Sequence, residues 1–277
     1  MLFDSHTHIN NESYTEEERE ELIRGIEASE LLSWCTDIGF DLPSSILAAQ
    51  HAEKYPWCFA AVGVHPHDSG SMTEAILETL RRLAAQPGVR AVGEIGLDYH
   101  YMYSEKEDQR YWFRRQIRLA NELRMPIVIH SREADQETMD ILAEEGAFSG
   151  ERQSWFPKRP GPDGTEVPDA RVDIHCFSGS AELAAEYVKL GATIGLCGPL
   201  TYKNNKKTVR VAEQIPLEYL MVETDAPYLT PVPKRGEPNK PWYVEYTARR
   251  LAEIKGITFE EAARATCGNA LRFFGTD

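Results

Sequence analysis

The chain is poor in the features that build membrane, secreted or duplex-wrapping proteins. Its longest apolar runs, such as CFAAVGV, fall far short of the roughly 20 residues needed to cross a bilayer. The opening MLFDSHTHIN carries neither a basic nor an apolar leader. No membrane role and no export are therefore expected, and the cytoplasm is. Cysteine is scarce: Cys35, Cys58, Cys176, Cys197 and Cys267 are odd in number, lie far apart and form no C-x-x-C. That argues against a disulfide scaffold and fits buried thiols in a reducing compartment. Positive charge is also short, with 30 Lys and Arg against 44 Asp and Glu and a net charge of -14. Such a surface repels a polyanion and argues against wrapping long duplex nucleic acid. It leaves room for an enzyme that takes a strand end into a metal-lined pocket, because metal charge reverses the local field.

What is present is an ordinary globular composition, 42% hydrophobic and 27% charged over 277 residues, with no repeat or low-complexity tract. Apolar, β-branched segments alternate with segments of helical period along the whole chain, the pattern of repeated βα units. Strands are predicted at 2–8, 31–38, 58–65, 89–97, 126–131, 171–177, 192–197 and 219–225. Helices are predicted at 14–29, 41–55, 73–85, 104–124, 180–190 and 241–255. In 104–124, Trp112, Gln116, Leu119 and Leu123 recur at steps of three and four, with Ser104 and Glu107 placed as a capping box. Eight such units in one domain make a (β/α)8 TIM barrel. Residues 148–171, rich in Pro, Gly and charge, read as a loop insertion that is either a disordered surface excursion or a lid or substrate-specificity loop.

Six residues carry the chemistry. His6 and His8 close the first strand, two apart and so on one face. Glu94 falls on the fourth strand, His130 on the fifth, His175 on the sixth and Asp225 on the eighth, each toward the C-terminal end. In a barrel those ends converge on one face. Core histidines have no reason to choose that end of separate strands, and a buried carboxylate is costly unless paired or bound to a cation. One or two divalent cations are expected, with the mixed N and O set suiting Zn, Mn, Fe, Ni or Co, and Mg with retained water.

Six motifs in order, FDSHTHIN, GVHPH, VGEIGLDY, PIVIHSREA, IHCFSGS and VETDAPYLTP, span the chain. With them the sequence resembles the TatD family of metal-dependent deoxyribonucleases, within the amidohydrolase-like metal barrels. The resemblance implies a barrel, a one- or two-metal centre and hydrolysis of phosphodiester bonds in DNA. It implies that His6, His8, Glu94 and Asp225 hold one metal while Glu94, His130 and His175 hold the other, with Glu94 bridging. In that chemistry Asp225 accepts or orients the proton of the attacking water. The acidic surface points to single-stranded or frayed ends, the resemblance implies attack from the 3′ side, and a monomer is the default.

Other positions stay open. His65 is expected near the substrate phosphate and His67 in a structural loop bond. Glu223, two residues before Asp225, either orients a metal ligand or forms a buried ion pair. Arg132, Lys203 and Arg235 are expected as a group to meet phosphate, against the alternative of plain surface charge. Two departures from the family pattern are the insertion itself and Cys197 with Pro199 in GLCGPLTYKN. Three other functions compete: hydrolysis of an ester, lactone or amide, including an aminoacyl-tRNA ester; a metal-binding scaffold without catalysis; and a thiol enzyme using Cys176. The last is disfavoured because neighbouring strand residues face opposite ways.

Overall fold

In the computed structural model, which describes residues 1–275, strands and helices alternate from the N-terminus. They run β1 (Leu2–Thr7), α1 (Glu16–Glu27), β2 (Leu32–Ile38), α2 (Leu42–Lys54), β3 (Cys58–Val62), α3 (Glu74–Ala84), β4 (Val89–Asp98), α4 (Lys106–Leu123), β5 (Ile127–Arg132) and α5 (Asp135–Glu144). After the insertion, with α6 (Gly150–Gln153), β6 (Arg159–Pro160) and β7 (Glu166–Val167), come β8 (Val172–Ile174), α7 (Ala181–Lys189), β9 (Thr193–Leu196), α8 (Lys206–Gln214), β10 (Leu220–Val222), α9 (Val244–Lys255) and α10 (Phe259–Phe273). The eight long-range strands pair in parallel, in the order β1-β2-β3-β4-β5-β8-β9-β10, as the (β/α)8 barrel requires. All eight expected strands and six expected helices are found. Helices α5, α8 and α10 had not been assigned from periodicity.

The barrel closes between β1 and the chain that follows β10. A parallel bridge joins Thr7 to Ala226. Around it the Asp225 amide donates to the His6 carbonyl and the His8 amide to the Ala226 carbonyl, both at 2.9 Å. Deeper down, Asp4 accepts from the Thr224 amide at 2.8 Å and hydroxyl at 2.6 Å. At the N-terminal end of the strands the bore is filled by Phe3, Ala61, Ala91, Val128 and Met221. Phe273 and Phe274 at the end of α10 plug it from below, Phe274 stacking on Phe3 at 5.6 Å.

The expected capping box of α4 does not form. Glu105 holds the cap position without a side-chain bond, and Ser104 instead donates to the His67 carbonyl at 2.6 Å and accepts from the Gly70 amide at 2.9 Å. Tertiary contact has outcompeted the local bond, and the serine ties the loop after β3 to the loop after β4.

The insertion is no lid. It connects a helix to the next strand, so it lies at the N-terminal ends of the strands, the face opposite the convergent histidines. It is also not structureless, since α6 and the β6–β7 hairpin order it. Arg152, fully buried, donates to the carbonyls of Ala170 (2.9 Å) and Met125 (2.7 Å) and to the Asn121 side chain (2.7 Å). Arg159, equally buried, donates to Thr193 Oγ1 at 3.0 Å and to the Glu218 carbonyl. Every one of those acceptors sits at or just before the start of a barrel strand or at the end of the helix before it. Arg152→Ala leaves buried acceptors unpaired and is expected to lower unfolding free energy by about 2–4 kcal/mol. Urea denaturation with an unchanged m-value checks this, and a loss below about 0.5 kcal/mol contradicts it.

Candidate metal centre

At the C-terminal mouth of the barrel the six anticipated residues meet. His8 follows β1, His175 follows β8 and Asp225 lies beyond β10, whereas Glu94 and His130 sit inside strands that run on to Asp98 and Arg132. Asp225 adopts φ 58°, a left-handed conformation that ends the extended run after β10. Asn239 supports this corner by donating to the carbonyls of Thr224 at 2.8 Å and Tyr228 at 2.7 Å.

Glu94 faces two groups of donors. Its Oε2 lies 3.5 Å from His6 Nε2 and 3.9 Å from His8 Nε2. His6 Nε2 and His8 Nε2 are 3.3 Å apart, and His8 Nε2 is 3.2 Å from Asp225 Oδ1. Its Oε1 lies 2.8 Å from His130 Nδ1, 3.8 Å from His65 Nε2 and 3.9 Å from His175 Nε2. Donors that share a small divalent cation at about 2.1 Å stand roughly 3.0–3.4 Å apart by simple tetrahedral or octahedral geometry. The spacing around Oε2 is close to that, with softer lone pairs from imidazole and hard oxygens together. His6 Nδ1 has no partner at all, and the facing ring nitrogens satisfy each other poorly. The residues therefore fit a divalent cation.

The outer nitrogens set the direction of the inner ones. His8 Nδ1 is 2.8 Å from the Ile38 carbonyl, which makes it the donor and leaves the Nε2 lone pair facing inward. His175 Nδ1 lies 2.9 Å from Glu223 Oε1, an ion pair off the line of a straight hydrogen bond, and Nε2 again faces the centre. Glu223 is fully buried and also accepts from the Cys176 amide at 2.6 Å and Ser5 Oγ at 3.3 Å. The two alternatives for this residue coincide: it is a buried ion pair whose partner is a donor of the centre. Gly195 makes room for it, since a Cβ there would stand 2.6 Å from Glu223 Oε1. Cys197, the unusual residue of that strand end, places its Sγ 3.6 Å from the same oxygen. The Cys176 thiol lies against that of Cys197, and among the described residues no thiol–imidazole hydrogen bond supports the thiol-enzyme alternative.

Helix α4 positions the second group. Buried Gln116 brackets the backbone of Val64, accepting from its N–H at 2.8 Å and donating to its C=O at 3.0 Å, and so fixes the loop that carries His65. Buried Gln109 does the same for Asp98, at 2.9 and 3.1 Å. Asp98 was not singled out from sequence. It accepts from His67 Nε2 at 2.9 Å, lies 3.3 Å from His130 Nε2, and accepts the amides of His100 and Tyr101 at 2.9 Å. Its signal was its position four residues after Glu94, on the same strand face. Gly96, with φ 152°, lets β4 approach β5 here, because a Cβ would fall 1.9 Å from the His130 carbonyl.

Charge follows this geometry. Burial alone would raise the Glu94 carboxyl, but His65, His6 and the bond to His130 hold it well below the usual range. Burial likewise opposes ionisation of Asp225, and His8 and His175 overcome it, leaving it lowered. Desolvation, with His130 and His175 nearby, pushes the His65 and His6 imidazoles down from their ordinary value. His175 goes the other way: burial works against its charge, and Glu223, with Glu94 and Asp225, lifts it well above an ordinary imidazole.

The three anticipated cations stand outside this cluster, with no contact to its donors among the described residues. Arg132 ends β5 with its guanidinium 4.6 Å from the Tyr101 ring. Arg235 lies 4.3 Å over Tyr202. Lys203 lines an open groove of about 760 Å³ beside Tyr202, Lys206 and Arg210, between α8 and α9.

The barrel and its histidine–carboxylate mouth define a metal-dependent hydrolase. Residues 3–275 match the family described as TatD related DNase, and the chain belongs to the TatD family. It is 42% identical over 274 residues, 99% of each chain, to the uncharacterized metal-dependent hydrolase YabD of Bacillus subtilis. It is 34% identical over 242 residues, 86% of this chain and 84% of the relative, to a protein of Citrobacter rodentium named 3′-5′ ssDNA/RNA exonuclease TatD. The crystal structure of YJJV, a TatD homolog from Escherichia coli, superposes with a TM-score of 0.84 at 27% identity, covering 100% of this chain and 98% of that one.

Because His175 holds its proton to higher pH than an ordinary imidazole, a cation that takes its Nε2 must displace that proton, and metal affinity is expected to rise with pH until the raised value is passed. Glu223→Gln removes the cause of the shift, so it should flatten that dependence and weaken metal binding about 10–100-fold. Metal titration at several pH values checks both, and an unchanged slope contradicts the role given to Glu223.

Proposed function

We propose that the chain is a metal-dependent nuclease that hydrolyses phosphodiester bonds at the 3′ ends of single-stranded or frayed DNA. The observation that carries this is Glu94 facing two donor groups with its two oxygens, 3.5 Å from His6 on one side and 2.8 Å from His130 on the other. That is the arrangement a paired cation site uses to clamp a phosphate. His6, His8, Glu94 and Asp225 would hold one divalent cation, and Glu94, His130 and His175 the second, with His65 Nε2 placed beside this second group. Mg, Mn, Zn, Ni, Co and Fe all suit the donors. The relatives named as exonucleases support the reaction class.

When bound, the cations supply Lewis-acid charge that lowers the pKa of water and offsets charge developing on the phosphate. The protein's own groups do the rest. Asp225, held ionised by His8 and His175, takes the proton of the attacking water at Oδ1. Glu223 fixes the His175 ring through Nδ1, and Asp98 fixes His130 through Nε2 at 3.3 Å. Arg132, Lys203 and Arg235 would, as a group, meet the phosphates of the incoming strand. Five free thiols fit a reducing cytoplasm, and a monomer is the default.

The test is hydrolysis of labelled single-stranded DNA and of a generic ester by metal-stripped protein refilled with Mg, Mn or Zn. Metal-restored DNA cleavage that Glu94→Ala abolishes in a folded protein is the expected result. Ester turnover with intact DNA would move the function to carbonyl chemistry in the same centre. Asp225→Asn is expected to lose on the order of 10²-fold or more in kcat, with metal content measured in parallel. A metal-loaded variant that cleaves at the wild-type rate removes Asp225 from the proton transfer.

A further inference from the structure

Large exposed apolar side chains are few, and they cluster. Tyr101, Met102 and Tyr103 follow one another in the loop after β4, at 46%, 38% and 70% exposure. This loop stands at the catalytic mouth. The two tyrosine rings are parallel to within 10° with centroids 5.5 Å apart, an offset pair. Met102 between them holds φ 53°, a left-handed conformation that an unbranched thioether side chain gains nothing from locally. His67 stands edge-on to both rings, 5.5 Å from Tyr101 and 4.8 Å from Tyr103. The same imidazole is bound to Asp98, which in turn faces His130. The Arg132 guanidinium lies over Tyr101. Flat aromatic surface, an adjacent cation and a direct chain of contacts to the centre are thus brought together, while Tyr103 leaves most of its ring in water.

We infer that the Tyr101–Tyr103 pair is a stacking platform for an unpaired nucleobase of the strand whose phosphate enters the centre, with Arg132 beside it for the phosphodiester backbone. The inference rests on the nuclease reading and adds to it what selects the substrate. Every base offers a π-face, so the platform is tolerant of sequence. A base inside a duplex has both faces covered by its neighbours, and one at a blunt end is held in its pair against the opposite strand, so the platform takes it up only when the end frays. Preference for single strands then comes from a surface that binds bases, in addition to the repulsion that an acidic exterior exerts on duplex.

The experiment uses the metal-loaded protein and single-stranded oligonucleotides of the same length with either a normal or an abasic terminal nucleotide, alongside a blunt duplex. Loss of one base–aromatic stack is worth on the order of tenfold in binding. Tyr103→Ala is therefore expected to raise KM about tenfold on the normal strand, with kcat held within about twofold. The abasic strand should not distinguish variant from wild type, and the single-strand over duplex ratio of kcat/KM should shrink. Tyr103→Phe, which keeps the ring, should restore KM. A phosphorothioate strand carrying 2-aminopurine near its 3′ end gives a readout independent of turnover: its fluorescence should be quenched by wild type and by Tyr103→Phe, and much less by Tyr103→Ala. Unchanged KM and quenching in the double variant Tyr101→Ala/Tyr103→Ala, or an equal loss on the abasic strand, overturns the platform. Wild-type protein that cleaves no nucleic acid counts instead against the nuclease reading, and base-dependent quenching lost in Tyr103→Ala still supports the platform in that case.

Discussion

The closure of the barrel between β1 and the chain after β10 is the constraint on which the rest depends. Two backbone hydrogen bonds of 2.9 Å join His6 to Asp225 and His8 to Ala226. The same bonds that remove the open edges of the sheet set the separation of three of the donors. A cluster assembled from loops would need its own ordering energy. Here the ordering comes with the fold, and Asp225 in its left-handed conformation is held because the backbone on both sides of it is already paired. The bore beneath is filled with side chains and plugged by Phe273 and Phe274, so the mouth rests on a floor that does not give.

Charge at the mouth is arranged so that few groups stand alone in a place where water is scarce. Glu94, Asp225, Glu223 and Asp98 each face at least one imidazole, and burial lowers the pKa of His6 and His65. Buried carboxylates in this number would be costly without those partners. The partners also point the inner nitrogens toward a common centre, so the network that makes the charges tolerable is the one that prepares the donors for a cation. The outer layer, Gln109 and Gln116 from α4 and Asn239 beyond β10, holds backbone instead of side chains and so fixes where the donors begin.

Stability and chemistry occupy opposite ends of the barrel. The insertion gathers its buried arginines against carbonyls at the starts of strands, where nothing reactive converges. The loops after the strands carry exposed tyrosines, cations and the donors. Residues 148–171 lie away from the mouth, while the loop after β4 stands at it.

From sequence alone the barrel was legible, because eight β-branched segments separated by helical periods leave little other topology, and the strand limits proved accurate to within a few residues. The convergence of the six candidate residues was legible for the same reason: His6, Glu94 and His130 lie in the later half of their strands and His8, His175 and Asp225 just beyond theirs, and strand ends converge by geometry. Helices α5, α8 and α10 were not legible, and a weak period accounts only for α5. Ser104 was misread because a capping pattern is a local rule and its hydroxyl found the His67 carbonyl across space. Asp98, the bracketing glutamines and the pairing of Glu223 with His175 needed the tertiary structure, as did the side of the barrel on which the insertion lies. Sequence determines which residues share a strand face and which end of it they approach. Which nitrogen faces inward, and which oxygen of Glu94 meets which partner, depends on contacts between segments far apart in the chain, and only the packed structure decides those.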